Sequence, residues 1–445
     1  MIAPASTATG EVRRLGRAVN VAFTYAGVEA LGVCETTLGT FGREFIEGMT
    51  GEHRQRVLGD TGPVAPDTWA WGGPRNPTVH AMLFLFAATP AELQALLSEE
   101  ASHATEAGVT LGDPLGSVML AGDKEHFGFH DGIAQPRIHG LRADADGTGG
   151  GEPRVPAGEV VLGYPNAYGQ LPATPSVPVT DAAKALFPLA PPDPYDTTLG
   201  PRLDLGKNGS YVVFRQLAQD VKAFWSFADR AAGHDAERRT WLAAKMVGRW
   251  PNGAPLEEHP DAEPPTFDAA AANRFLYRDD LHGERCPLGS HIRRTNPRDG
   301  MGPTPAESLL VADRHRLLRR GRAYGPPLAP SFDPADVLAS DGVGERGLHF
   351  ICFNTDIGRQ FEFVQNTWAN SMKFDGLYAD PDPVIAPHRD PADPATYAEE
   401  VSSFTVQRCP VRHRVSGLPR FVTIRGGAYL FMPGMKALRY LADPR

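Results

Sequence analysis

Short apolar runs recur along the chain, and several are followed by a segment with helical spacing. The run "TVHAMLFLFAA" (78–88) reads as a buried strand, and "PAELQALLSEEASHATEAG" (90–108) as the helix after it. Pro90 suits a first helical turn, Glu92 sits where the helix dipole favours negative charge, and Gly108 can end the element. "GSYVVFRQL" (209–217) predicts a second strand. "AQDVKAFWSFADRAA" (218–232) then predicts a helix with Val221, Phe224, Trp225 and Ala228 on one side. "GLHFICFN" (347–354) and "RQFEFVQNTWANSM" (359–372) repeat the strand-then-helix order. "RFVTIRGGAYLFMPG" (420–434) reads as two strands around Gly426-Gly427, and "MKALRYLA" as a closing helix. Both halves mix strands and helices without a clean sequence repeat, so the expected class is α+β.

Between the halves, residues 171–205 are rich in proline and cannot hold continuous sheet or helix, which predicts a linker or long wrapping connection. A chain of 445 residues exceeds the usual size of one core. The expected division is 1–170, the 171–205 linker, and 206–445. Lys and Arg number 44 against 53 Asp and Glu, a net charge of −9, which argues against nucleic acid or an anionic membrane as partner. Cys34, Cys286, Cys352 and Cys409 are too scattered for a metal knuckle, and four in this length are not a disulfide framework. The first twenty residues lack an apolar core of signal-peptide length, and no segment reaches membrane-spanning length. A cytoplasmic location is expected.

Two loops carry candidate chemistry. In "EHFGFHDGIAQPRIHG" (125–140), Gly128, Gly132 and Gly140 relax the backbone and Pro136 stiffens it. This is a surface turn, since Asp-Gly is a common turn pair, or a fixed loop that delivers Asp131 to one place. In "CPLGSHIRRTNPRDG" (286–300), His291 stands among Arg285, Arg293, Arg294 and Arg298. One imidazole among guanidiniums suits haem, with the ring on iron and arginines on the propionates. An exposed basic loop with an incidental histidine explains the local composition equally well. A further basic run, "DRHRLLRRGRAYG" (313–325), lacks the interleaved aromatics of a nucleic-acid arm and carries Leu317 and Leu318 within it.

Taken in order, "GFHDG", "EVVLGYPNAYG", "GSYVVFRQL", "CPLGSHIRRTNPR", "RHRLLRRGRAYG", "GLHFICFNTDIGRQFEFVQNTW" and "FVTIRGGAYLFMPG" make the chain resemble the dye-decolourising peroxidases, from about residue 120 onward. The likeness is to the longer, soluble branches, and no encapsulation tail is expected past Arg445. It implies two ferredoxin-like modules with haem b in the C-terminal one. It implies reduction of hydrogen peroxide at the expense of dyes, phenolics or other organic electron donors, with the haem iron storing the oxidising equivalents. It makes His291 the iron ligand, with Asn296 and Arg298 on the haem-binding loop and Asp131 reaching the distal face. The family's distal arginine, six residues before the glycine of an aromatic-Gly pair, falls on Arg319, with Arg320 as its neighbouring rival. Gly321 stands where one branch has an asparagine. Leu348 and Phe350 match the apolar distal wall, and strand alternation turns His349 away from them. Asp382 is the candidate partner of the proximal histidine, with Glu362 as the alternative.

The chemistry accounts for these residue types. A carboxylate can move a proton from one peroxide oxygen to the other, and a fixed cation stabilises the charge that develops as the bond breaks. A proximal imidazole bonded to a carboxylate is more basic toward iron. Trp368, Tyr324 and Tyr429 are candidate electron relays, beside the simpler reading as core aromatics. Other functions compete: a haem-handling protein would need His291 without Asp131 and Arg319, a tailoring oxidase would serve one narrow substrate, and a binding module would hold no haem.

Overall fold

The computed structural model describes residues 16–139, 154–192, 200–269, 271–388 and 402–443. Gly140 and the middle of the proline-rich connection lie outside them. The centre is an antiparallel seven-stranded sheet, built from β1 (Arg17–Phe23), β2 (Ala81–Ala87), β3 (Ser210–Gln219), β4 (Leu318–Arg319), β5 (Arg322–Tyr324), β6 (Gly347–Asn354) and β7 (Val422–Met432). Its order is β2-β1-β7-β3-β6-β4, with β5 also paired to β6. The class is α+β, as the alternation of runs predicts. Two strands come from the first 170 residues and five from beyond 206.

The helices expected from spacing form with clear end signals. Thr89 caps α1 (Pro90–Glu106) through the Glu92 amide, and Asp220 caps α2 (Val221–Ala231) through Ala223. Helix α3 (Ala236–Val247) follows, and α4 (His291–Thr295) is a single short turn after Ser290. Met435–Ala442 closes the chain as α5. The segment after β6 is helical but wide-turned, with π-helical stretches at Gly358–Glu362 and Val364–Ala369. Among the described residues no helix is long and apolar enough to cross a membrane.

One sequence expectation changes, and one pair of alternatives narrows. The 420–434 segment is one strand, β7, with its register shifted between Ile424 and Gly426. The paired glycines do not turn the chain: a Cβ on Gly426 would lie 2.5 Å from the Trp71 indole, so the glycine admits that ring. The indole then donates to Gln216 Oε1 at 2.7 Å. The proline-rich connection is the wrapping alternative rather than a loose tether. Ser176–Pro178 pairs with Arg202–Asp204, and Val177, Leu203 and Leu205 enter the main core with Phe41, Phe45 and Phe431.

Candidate active site

A second apolar cluster explains why the Asp131 loop is fixed. Phe127 and Phe129 are buried against Phe224 and Trp225 of α2, with Phe127 and Phe224 ring centroids 4.7 Å apart. Trp225 Nε1 donates to the Phe127 carbonyl at 3.0 Å. Glu125 accepts the amides of Phe127 and Phe129, both at 3.0 Å, and closes the turn. Gly128 and Gly132 supply the left-handed backbone there, at φ of 96° and 82°. The aromatic residues on either side of Gly128 are thus anchors, and Asp131 stands just past them on the wall of a large cavity.

His291 opens onto the same cavity. It begins α4, where Ser290 Oγ donates to the Lys245 carbonyl at 2.5 Å. Its Nδ1 lies 2.9 Å from Asp382 Oδ2. Asp382 Oδ1 accepts the amides of Val384 and Ile385 at 2.9 and 3.0 Å, which leaves Oδ2 to the imidazole. Burial opposes the Asp382 charge, yet His291, Arg294 and the Val384 amide together hold its pKa below the usual carboxyl range. Glu362 lies elsewhere: it accepts Tyr429 Oη at 2.8 Å and Arg54 Nη1 at 2.5 Å.

Strand alternation sorts the remaining candidates. On β4 and its approach, Leu317 and Arg319 line the cavity, whereas Arg320 turns back and donates to the Arg319 carbonyl at 2.9 Å. Arg319 Nη1 lies 3.9 Å from Asp131 Oδ1, both side chains about one-third exposed. On β6, Leu348 and Phe350 face the cavity. His349 points away, with Nε2 3.0 Å from the Gly116 carbonyl and its ring stacked on Tyr324. Tyr324, Trp368 and Tyr429 are all buried.

The basic crowd beside His291 behaves differently from its composition. Arg293 pairs with Asp280 at 2.9 Å, and Arg285 with Glu257 at 2.9 Å. Arg294 donates to the carbonyls of Trp368, Ser371 and Asp380, so it staples the Asp382 loop. Arg298 does reach the cavity wall, with Nη1 on the carbonyls of Asn273 and Phe275 and Nη2 on Asn273 Oδ1. Asn296 lines the cavity, and its buried Oδ1 has no partner among the described residues.

Arg249 and Arg316, which local sequence did not single out, join Arg298 and Arg319 on the same wall. Burial first, then repulsion from Arg298, lowers both to about 10. Arg249 Nη2 is buried without a partner, and no ion pair holds Arg249, Arg298 or Arg316 among the described residues. Their separation in sequence is why composition missed them: the fold, not a motif, gathers them. An apolar pocket with one carboxylate-backed imidazole and a surplus of guanidinium fits haem, whose propionates would answer that charge.

No family model matches the chain. It is 30% identical over 433 residues to the multifunctional dye peroxidase DyP2 of Amycolatopsis sp., covering 88% of this chain and 81% of that protein. The crystal structure of a decolourising peroxidase from Auricularia auricula-judae superposes with a TM-score of 0.72 at 25% identity, over 97% of this chain and 87% of that one. A dye-decolourising peroxidase in complex with 2,6-dimethoxyphenol gives 0.71 at 24% identity, over 96% and 86%. The chain shares their fold, with which two ferredoxin-like modules are consistent.

Proposed function

The chain belongs to the dye-decolourising peroxidase family and is a peroxidase, and from that premise we propose that it holds haem b on His291 and reduces hydrogen peroxide with Asp131 and Arg319. The observation that carries the reading is that one cavity is lined by both a carboxylate-backed imidazole and a carboxylate–guanidinium pair. When bound, haem supplies an iron centre that takes up the oxidising equivalents of peroxide.

The chain's residues divide the remaining work. His291 would offer Nε2 to the iron, with Asp382 fixing the ring through Nδ1. Arg249 and Arg316 would hold the propionates, and Arg298 would add its charge while its bonds to Asn273 and Phe275 order that part of the wall. The Asp131 carboxylate, whose Oδ1 accepts the Gly132 amide at 2.6 Å, would take the proton from one peroxide oxygen on Oδ2 and return it to the other. Arg319 stabilises the negative charge that develops between those events. Leu348 and Phe350 keep the reacting face apolar. Electrons come from an organic donor, and the phenol bound by a relative makes phenolics the first class to try. The reading includes a cytoplasmic location, supported by four cysteines that all stand as free thiols.

The test is peroxide turnover by haem-loaded protein with 2,6-dimethoxyphenol as donor. Peroxide consumed in proportion to phenol oxidised, and lost in Asp131→Ala and Arg319→Ala at full haem content, is the expected result. Haem binding with peroxide turnover indifferent to both substitutions would favour haem handling instead.

A further inference from the structure

We infer that Gln135 is a positioning residue for the peroxide step, holding the strand that carries Arg319 in register with the loop that carries Asp131. The inference rests on the proposed roles of that pair.

Strand β4 is two residues long and lies at the sheet's edge. The Arg320 amide is the one turned inward, donating to the Ile351 carbonyl of β6 at 2.7 Å. The Arg319 amide therefore faces outward, where an edge strand has no backbone acceptor. Gln135 Oε1 supplies one at 3.0 Å, across 184 residues of sequence. Gln135 is itself held tightly. Pro136 follows it and restricts its backbone. Its amide donates to the Ile133 carbonyl at 3.1 Å, and its own carbonyl accepts Asn273 Nδ2 at 3.3 Å. Asn273 Oδ1 in turn accepts Arg298 Nη2 at 2.8 Å. One glutamine thus joins three segments far apart in the sequence: the Asp131 loop, the Arg319 edge and the arginine wall.

The consequence lies in the 3.9 Å between Arg319 Nη1 and Asp131 Oδ1. That spacing is too long for a hydrogen bond and short enough for one to form after a small shift. A proton-carrying carboxylate loses its role once an arginine pairs with it directly, because the pair favours the charged form. Gln135, four residues along the loop from Asp131, fixes the backbone at Arg319 and so sets that separation without touching either side chain.

Gln135→Met keeps the length and removes the acceptor, whereas Gln135→Glu keeps it. In apoprotein, hydrogen exchange of the peptide containing Arg319 should quicken in Gln135→Met and stay near wild type in Gln135→Glu. In haem-loaded protein, stopped-flow oxidation by peroxide should slow by about ten- to a hundredfold in Gln135→Met, with haem content and ferric spectrum unchanged, and recover in Gln135→Glu. Unchanged exchange or an unchanged rate in Gln135→Met, beside slow Asp131→Ala and Arg319→Ala controls, overturns the inference alone. Equal slowing in both Gln135 variants, or slowing that tracks lost haem, also overturns it. If the two controls keep the wild-type rate, the distal assignment fails and the inference falls with it.

Discussion

His291 Nδ1 lies 2.9 Å from Oδ2 of Asp382, a carboxylate whose side chain is wholly shielded from solvent. A buried carboxylate stays charged only where donors surround it, and here two backbone amides hold Oδ1 while the imidazole takes Oδ2. The orientation of the His291 ring and the basicity of its Nε2 are therefore set by the same contact.

Asp382→Asn should retain haem on His291 but weaken the hold, by about ten- to a hundredfold in affinity. The amide withdraws negative charge from Nδ1, so the ferric state loses stabilisation and the midpoint potential should rise. Spectroelectrochemical titration of the loaded variant checks the direction. A potential at or below wild type would show that the carboxylate does not tune the ligand.

The distal pair makes a position-specific prediction. Arg319→Ala should slow oxidation by peroxide about a hundred- to a thousandfold, the scale for losing one donor to a developing anion. Asp131→Ala should cost about a hundred- to ten-thousandfold. Arg320→Ala should change little, since that side chain curls onto the Arg319 carbonyl outside the cavity. Stopped-flow rates at matched haem content separate the three, and a slow Arg320 variant would move the role by one residue.

The sequence is most legible where chemistry and period coincide. The strand-and-helix blocks of 209–232 and 347–372 appear where apolar spacing puts them, although the wide-turned helix after β6 has no sequence signal here. Arg319 over Arg320 follows from alternation once β4 is known to be a strand, but a two-residue edge strand is too short to read from period alone. The arginines of the 285–298 loop mislead because composition cannot say which way a side chain turns. Three of them pair with neighbours, while Arg249 and Arg316 arrive from distant segments. Glycine pairs are ambiguous for a like reason: Gly426 admits an indole, and nothing local tells that need from a turn.

Arg249 and Arg298 should respond differently to removal. Arg249 donates from Nη1 to the Gly253 carbonyl at 2.8 Å, and its buried Nη2 on the cavity wall has no partner among the described residues, so Arg249→Met should weaken haem binding more than it destabilises the apoprotein. A charge-assisted bond of about 1.5–3 kcal/mol corresponds to roughly ten- to a hundredfold in affinity. Arg298 is held by Asn273, by the Phe275 carbonyl and by the face of the Phe275 ring. Arg298→Ala should destabilise the apoprotein itself by about 3 kcal/mol, since it orphans buried carbonyls. Haem titration and urea unfolding of apoprotein, run on both variants, distinguish the two. An apoprotein of wild-type stability in Arg298→Ala would contradict the structural part.

Glu125 supplies a pH-dependent prediction. Burial raises its carboxyl from 4.5 to about 7, against the Phe127 amide, the Gln219 side chain and the Phe129 amide, which favour the charged form. The folded chain therefore keeps a proton there that the unfolded chain releases at lower pH. Stability from this group is complete below about 4.5 and is lost as pH rises through about 7. Glu125→Gln removes the titration, so its stability relative to wild type should improve with pH, by up to about 3 kcal/mol between pH 5 and pH 8. At pH 5 the variant should be no more stable than wild type, because a carboxamide competes poorly for the three donors that meet the carboxyl. Urea unfolding of both apoproteins at the two pH values gives the difference directly. A gap between them that stays constant with pH would mean that Glu125 titrates in the ordinary carboxyl range despite its burial.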